Sequence, residues 1–217
     1  FQSATIQTGT SLWNVHTVSL GGAVARLYQF STTGTSPLFT RNLFTAGDDR
    51  VFNPSVAVNA TNAFVTATRT WPSQGSPTGN AAMLMFQGPN SSSSGYTFDV
   101  IATSPSQFTQ EFVSGVGFVS CNTAIPNVKG SSCRWGDYSA TQIDPSNTSA
   151  AWGFNQLVTG TSSGDWTTGA GLITGGAALA CGAVVISSDF NNDCRNDILW
   201  RHDSGAVAIW LMNGFTI

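Results

Sequence analysis

Charged residues are scarce in this sequence. They make up 9% of its 217 residues, and Lys129 is the only lysine, whereas soluble domains average about 25% charged residues. The formal net charge is −3, and the seven arginines form no cluster in the sequence. A basic surface for nucleic acid is therefore not expected, and neither is a polybasic anchor for an anionic membrane.

Long hydrophobic runs are missing as well, and histidines are few. No run of 18 or more apolar residues occurs, so we predict no membrane-spanning helix. A serine hydrolase is not expected, because His16 and His202 are the only histidines, one in an alternating strand and the other beside the turn of Asp203, Ser204 and Gly205. The chain begins at Phe1 without Met, which we interpret as a processed or truncated chain.

Cysteine is present at four positions, which fall in two close pairs. Cys121 precedes Cys133, and Cys181 precedes Cys194. Three connectivities exist for four cysteines, and pairing in sequence order is the simplest because each pair closes a short loop. Each bond would contribute about 3 kcal/mol in the chain-entropy model. Disulfides predict an extracellular or periplasmic location, whereas a zinc site would need closer spacing and neighbouring histidines.

Period-2 alternation and turn residues predict an all-β fold without helices. The clearest alternation runs from Trp13 to Val18, and clusters of Gly, Pro and Ser separate the apolar runs. Residues 105–133 are less regular; Gln110 to Phe112 could begin a helical turn, but we interpret the segment as a long loop held by its disulfide. The predicted strands are Leu12 to Leu20, Val24 to Ser31, Leu38 to Ala46, Pro54 to Val58, Ala63 to Trp71, Ala81 to Gln87 and Tyr96 to Ala102.

The strands group into units of roughly 40 to 55 residues, the period of four-stranded propeller blades. We therefore predict β-propeller-like blades, either a partial ring or about four blades. A β-sandwich is the second interpretation, because evenly spaced short strands are typical of sandwiches too.

A run of oxygen-bearing side chains near residue 190 predicts a calcium site. Asp189, Asn191, Asp193 and Asp197 stand at relative positions 1, 3, 5 and 9, and a backbone carbonyl near Arg195 would add a further oxygen. Calcium takes six to eight oxygen ligands in irregular geometry, which suits a tightly curled loop. The alternative is an acidic surface turn, since Asp and Asn favour turns. Several carboxylates so close together would repel one another without a cation.

The residues after this loop predict a hairpin, because Asp203, Ser204 and Gly205 join two β-rich runs. D-F-N-N-D-x-x-N-D-I-L-W-R, followed by G-A-V-A-I-W-L-M-N-G, resembles the FG-GAP or VCBS-type repeat of secreted and cell-surface proteins. The resemblance implies a propeller blade with Ca²⁺ in the loop between strands. It departs from an EF-hand, because no Glu stands at position 12 and Cys194 replaces the loop glycine.

A second stretch reads R-W-G-D-Y-S, then D-P, W-G-F-N and D-W-T-T. It resembles a pattern in propeller-like domains of large secreted bacterial proteins. Together the resemblances imply a propeller-like domain over residues 1–175 and a calcium-binding repeat over residues 176–217. Arg134, Trp135, Asp137 and Tyr138 could bind a sugar by ring stacking and hydrogen bonding; the competing interpretation is that they are structural, with Trp135 filling a gap between blades.

These observations predict a non-catalytic extracellular module that binds Ca²⁺ and serves adhesion, surface assembly or ligand binding. Its expected partner is an extracellular glycan or surface protein, or further copies of the chain. The alternatives are a glycan-binding lectin and a sialidase-like hydrolase, which needs two carboxylates across a cleft. The carboxylates considered for such a hydrolase are Asp99, Glu111, Asp137, Asp144 and Asp165, but the sialidase box S-x-D-x-G-x-T-W is absent.

Overall fold

The computed structural model describes residues 3–45, 49–70, 80–106, 110–113, 117–120, 135, 138–160, 165–174, 198–201 and 207–210. For residues 110–113 and 117–120, and for most of 198–201 and 207–210, only the backbone is described. Strands and turns account for the ordered elements in these ranges, and no helix occurs in them. The predicted all-β fold is confirmed. None of the described residues belongs to a helix long and apolar enough to cross a membrane.

Sheet A is a four-stranded antiparallel meander in which each strand pairs with the next along the chain. It contains β1 (Ile6–Thr8), β2 (Ser11–Ser19), β3 (Ala23–Ser31) and β4 (Pro37–Leu43). Gly21 adopts a φ of 72° in the turn between β2 and β3, a conformation that glycine adopts without strain.

Sheet B repeats the same four-stranded meander. It contains β5 (Arg50–Val58), β6 (Asn62–Thr70), β7 (Ala82–Pro89) and β8 (Thr97–Thr103). The register of β5 against β6 shifts between Phe52 and Ser55, and Asn53 within this bulge has a φ of 51°. A bulge bends the strand and redirects its side chains.

A hairpin of β9 (Gln110–Val113) and β10 (Gly117–Ser120) follows sheet B. Sheet C is then formed by β11 (Ala140–Ile143), β12 (Ala150–Val158) and β13 (Trp166–Thr174), again in chain order. A last hairpin pairs β14 (Ile198–Arg201) with β15 (Val207–Trp210).

The three sheets stack in chain order, with sheet B in the middle. Strand β5 contacts β2 and β3 on one side and β11 on the other, while β12 and β13 contact β6, β7 and β8. Sheet B is therefore covered on both faces, and the central parts of β6 and β7 are buried without alternation. Three open, layered sheets are compatible with partial propeller blades and with a layered sandwich.

Two apolar clusters fill the spaces between the sheets. Between sheets A and B the largest buried side chains are Trp13, Leu27 and Phe86. Between sheets B and C the cluster contains Phe64, Met83, Met85, Ala151, Leu157 and Ile173. Successive residues of β6 point to opposite clusters, as the pleat of a strand requires.

The prediction of a long loop over residues 105–133 was wrong for residues 110–113 and 117–120, which form strands. Gln110 to Phe112 lie in strand β9 instead of a helical turn, and Phe112 pairs with Phe118 of β10. Only three residues separate the two strands, a length typical of hairpins. Strand β1 was also not predicted, because it has three residues and little periodicity.

Candidate functional site

The predicted calcium loop is followed directly by a described hairpin. The ligand candidates Asp189, Asn191, Asp193, Arg195 and Asp197 lie outside the described residues. Strand β14 begins at the next residue, and Leu199 pairs with Ile209 across to β15. The hairpin predicted after the loop is confirmed, whereas calcium binding stays a prediction.

Several other predicted residues also lie outside the described ranges. They are Cys121, Cys133, Cys181 and Cys194 of the two predicted disulfides, and Arg134 and Asp137 of the predicted ligand site. Both disulfides therefore stay predictions.

The two described residues of the predicted ligand site lie in different environments. The ring of Trp135 is partly buried and meets Phe52 of sheet B edge to face, with 6.1 Å between ring centroids. Tyr138 is 85% exposed, and its backbone carbonyl accepts a hydrogen bond from Asn53. Trp135 thus contacts a neighbouring sheet, while the ring of Tyr138 faces solvent.

Asn53 connects all three sheets from its position in the β5 bulge. Its backbone N–H donates to Thr17 Oγ1 of sheet A at 3.2 Å. Its side-chain Nδ2 donates to the carbonyl of Tyr138 at 3.2 Å and to Asn155 Oδ1 of β12 at 3.4 Å. Asn53 is 0% exposed and Asn155 is 2% exposed, so this cluster holds layers together out of reach of a solute.

A second, partly buried polar contact lies between sheets B and C. Thr141 Oγ1 of β11 is 2.8 Å from Ser55 Oγ and 2.8 Å from Thr66 Oγ1, and it accepts a hydrogen bond from the Thr66 N–H at 3.1 Å. The hydrogen bonds among these hydroxyls offset the cost of burying them between the two sheets.

Asp144 organises the turn between β11 and β12. Its Oδ1 accepts hydrogen bonds from the Ser146 hydroxyl and backbone N–H, both at 2.7 Å, and Oδ2 accepts one from Trp152 Nε1 at 3.1 Å. The Ser146 side chain and then its backbone lower the pKa of Asp144, because they stabilise the carboxylate more than burial destabilises it. Both oxygens of the Asp144 carboxylate therefore accept hydrogen bonds from nearby residues of the same turn and of β12.

The described carboxylates of sheet C do not form a hydrolase pair. Asp144 lies beside the start of β12, where its N–H donates to the Ala150 carbonyl, and Asp165 lies beside the other end, where its carbonyl accepts from the Thr159 N–H. β12 has nine residues, which places the two turns roughly 25 Å apart at about 3.3 Å per residue. Glycosidase carboxylates stand about 5 to 9.5 Å apart.

Asp99 and His16 occupy other sheets. Asp99 pairs with Met85 across β7 and β8, and burial raises its pKa. His16 stacks on Tyr28 with 4.9 Å between ring centroids, and burial, followed by the charge of Arg26, lowers the pKa of His16. No group of three or more His, Cys, Asp or Glu side chains that could hold a metal occurs among the described residues.

Comparison with known proteins gave no relative: no protein-family model matches the chain, and no curated protein sequence matches it significantly.

Proposed function

We propose that this chain is a non-catalytic extracellular β module whose C-terminal repeat binds Ca²⁺. The observation that carries the proposal is the spacing of Asp189, Asn191, Asp193 and Asp197 immediately before the β14–β15 hairpin. A hairpin fixes one end of the loop, so the oxygen ligands need less ordering when the cation binds. The module serves adhesion, surface assembly or ligand binding.

The stacking of the sheets supports a propeller-type arrangement for this module. Two four-stranded meanders and a three-stranded one follow each other face to face. A two-layer sandwich buries one face of each sheet, whereas sheet B is covered on both faces, as a blade inside a ring is.

Repulsion among the carboxylates of the loop is the reason that a bound Ca²⁺ would stabilise the fold. Three carboxylates within nine residues repel one another, and a bound cation turns that repulsion into attraction. Because Ca²⁺ binds only the folded loop, the free energy of unfolding should rise by about 2.7 kcal/mol at a hundredfold excess over Kd.

The test is thermal unfolding of the full chain in Ca²⁺ and in chelator. We expect Tm to fall in chelator, and Asp193→Ala to remove that difference. Asp99→Ala is the matched control: it also removes one carboxylate, but from β8 of sheet B, so the calcium-dependent shift should persist.

An equal Tm in Ca²⁺ and chelator for the unmodified chain would contradict calcium binding. A shift that survives Asp193→Ala would place the ion elsewhere in the chain.

A further inference from the structure

Four buried polar atoms near the β5 bulge have no hydrogen-bond partner among the described residues. They are Asn53 Oδ1, Thr68 Oγ1, Ser139 Oγ and Asn155 Nδ2. Asn53 and Thr68 are 0% exposed, and Asn155 is 2% exposed. A buried polar group that makes no hydrogen bond costs free energy, so native proteins seldom contain one. Several such atoms close together therefore indicate a polar ligand that bonds them all.

Asn53, Thr68 and Asn155 lie together in the interface between sheets B and C. Asn53 Nδ2 donates directly to Asn155 Oδ1. Thr68 of β6 pairs with Phe52, the residue before Asn53. The side chain of Thr68 points towards sheet C, because Thr66 bonds sheet C and side chains on a strand repeat their direction every two residues. The three side chains thus face the same small region.

Ser139 approaches this region from the residue that precedes β11. The carbonyl of its neighbour Tyr138 accepts the hydrogen bond from the β5 bulge at 3.2 Å. On the other side of Ser139, Ala140 pairs with Phe154. The antiparallel register, continued by one residue, places Ser139 opposite Asn155. The Ser139 hydroxyl therefore lies beside the other three atoms.

The orientations of the two amide groups are fixed by their other contacts. Asn155 Oδ1 accepts from the Gln156 N–H at 2.8 Å and from Asn53 Nδ2. Asn53 Nδ2 in turn faces two acceptors, Asn155 Oδ1 and the carbonyl of Tyr138. Exchanging the oxygen and nitrogen of either amide would oppose two donors or two acceptors. The atoms left over are thus an acceptor on Asn53 and a donor on Asn155.

We propose that an ordered water molecule binds at this point between sheets B and C. It accepts a hydrogen bond from Asn155 Nδ2 and donates one to Asn53 Oδ1, and the hydroxyls of Thr68 and Ser139 are its further partners. Buried waters make about three hydrogen bonds to groups that are otherwise unpaired. A cation suits the site less well, because Asn155 Nδ2 directs its protons towards it.

The water would complete the connection that Asn53 makes between the sheets. The contact of Thr141 with Ser55 and Thr66 is direct, whereas the contact around Asn53 would be partly water-mediated. The inference goes beyond the proposed function, because it rests on uncharged polar atoms between two sheets and not on calcium.

The test is oxygen-17 magnetic relaxation dispersion of the solvent, which detects water molecules that stay bound for longer than the protein takes to tumble. The full chain is compared with Thr68→Ile at one fixed Ca²⁺ concentration. Isoleucine keeps a β-branched side chain but replaces the hydroxyl with apolar atoms that extend into the site. We expect the amplitude of the dispersion to fall by the equivalent of about one water molecule per chain.

Thr66→Val is the matched control for this measurement. It removes a hydroxyl from the same face of the same strand, but that hydroxyl bonds Thr141 directly, so the amplitude should not change. Ser139→Val brings apolar atoms to the site from the other sheet, and it replaces Thr68→Ile if that variant does not fold.

Urea unfolding of Thr68→Val gives an independent result with a defined sign. Valine has nearly the shape of threonine but no hydroxyl. If Thr68 Oγ1 bonds a water molecule, its loss should lower the urea midpoint. If the hydroxyl is buried without any partner, its removal should raise the midpoint, because an unpaired polar group is replaced by an apolar one.

Three outcomes would overturn the proposal. Equal dispersion amplitudes in the unmodified chain and in the folded site variants would show that no long-lived water binds there. A raised urea midpoint in Thr68→Val would show that its hydroxyl is unpaired. A midpoint of the unmodified chain that rises with Na⁺ at constant ionic strength, but not in Thr68→Val, would assign the site to a cation. The calcium loop takes no part in these measurements, so the proposed function stands or falls separately.

Discussion

Asn53 shows how a single residue can connect three layers. The left-handed φ of 51° turns its N–H towards sheet A and its side chain towards sheet C. Asn tolerates this conformation better than most residues, because its short side chain is compatible with the left-handed region. The backbone conformation and the side-chain hydrogen bonds therefore both favour Asn at position 53.

We predict that Asn53→Ala lowers the free energy of unfolding by about 2–4 kcal/mol, because it combines lost buried hydrogen bonds with a strained backbone. Asn53→Gly loses the two side-chain hydrogen bonds but adopts the backbone conformation without strain, so it should cost about 1–3 kcal/mol. Urea unfolding of both variants measures the difference. If the glycine variant were the less stable of the two, the backbone part of the explanation would be wrong.

Asp144 makes the free energy of unfolding depend on pH. Its pKa is lowered in the folded state, so the unfolded chain binds the proton more tightly, and stability falls as pH drops below about 4. We predict that Asp144→Asn is less stable than the unmodified chain at pH 7 but loses less on acidification to pH 3. Urea midpoints at the two pH values test this expectation, and equal losses would contradict it.

Asp99 provides a control, because acidification changes stability at this residue in the opposite direction to Asp144. Burial raises its pKa, so the folded chain binds that proton more tightly and acidification adds stability at this site. Asp99→Asn removes this contribution, and the variant should lose more stability on acidification than the unmodified chain does.

At the scale of the element, sheet C meets sheet B through glycines. Gly153 and Gly171 pair across β12 and β13, and Gly169 lies on the same face. A Cβ at Gly153 would lie 2.7 Å from Met85 Sδ and closer still to Thr66 Oγ1. Glycine at position 153 thus allows β12 to approach sheet B closely enough for Thr141 to form hydrogen bonds with Thr66.

We predict that Gly153→Ala destabilises the fold by about 1–3 kcal/mol, because an added methyl group overpacks the interface. Gly34→Ala is the control: its Cβ would stand 3.4 Å from the nearest atom, Ser31 Cβ, so we expect a change within about 0.5 kcal/mol. Differential scanning calorimetry measures both. Similar Tm values for the two variants would contradict close packing at Gly153.

The strands of sheets A and B were largely predictable, because strand signals are local, whereas the bounds of the sheet C strands were not predicted. Alternation from Trp13 to Val18 marks β2, and the Gly-rich and Pro-rich gaps delimit the strands of sheet B. The β9–β10 hairpin was missed because four-residue strands give too few repeats of a period to separate strand from helix.

At the scale of the whole molecule, the stacking could not be read from the sequence. Asn53 bonds residues 36, 85 and 102 positions away, and no local pattern encodes such distances. The Asn53-Pro54 dipeptide signals a bend, but not its partners. The calcium site, in contrast, could be predicted from the sequence, because the spacing of its ligands is a local pattern. It stays a prediction, since its residues lie outside the described ranges.

The meander connectivity determines the order in which the chain can fold. In every described sheet, each strand pairs with its neighbour in sequence, so pairing requires the closure of short loops only. During synthesis, sheet A can form first, but its apolar inner face stays uncovered until β5 emerges and packs on β2 and β3. Each new sheet can shield the one made before it while it exposes a surface of its own. The connectivity therefore permits assembly from the amino-terminal layer onwards, with the most recently made layer exposed to aggregation until the next one covers it.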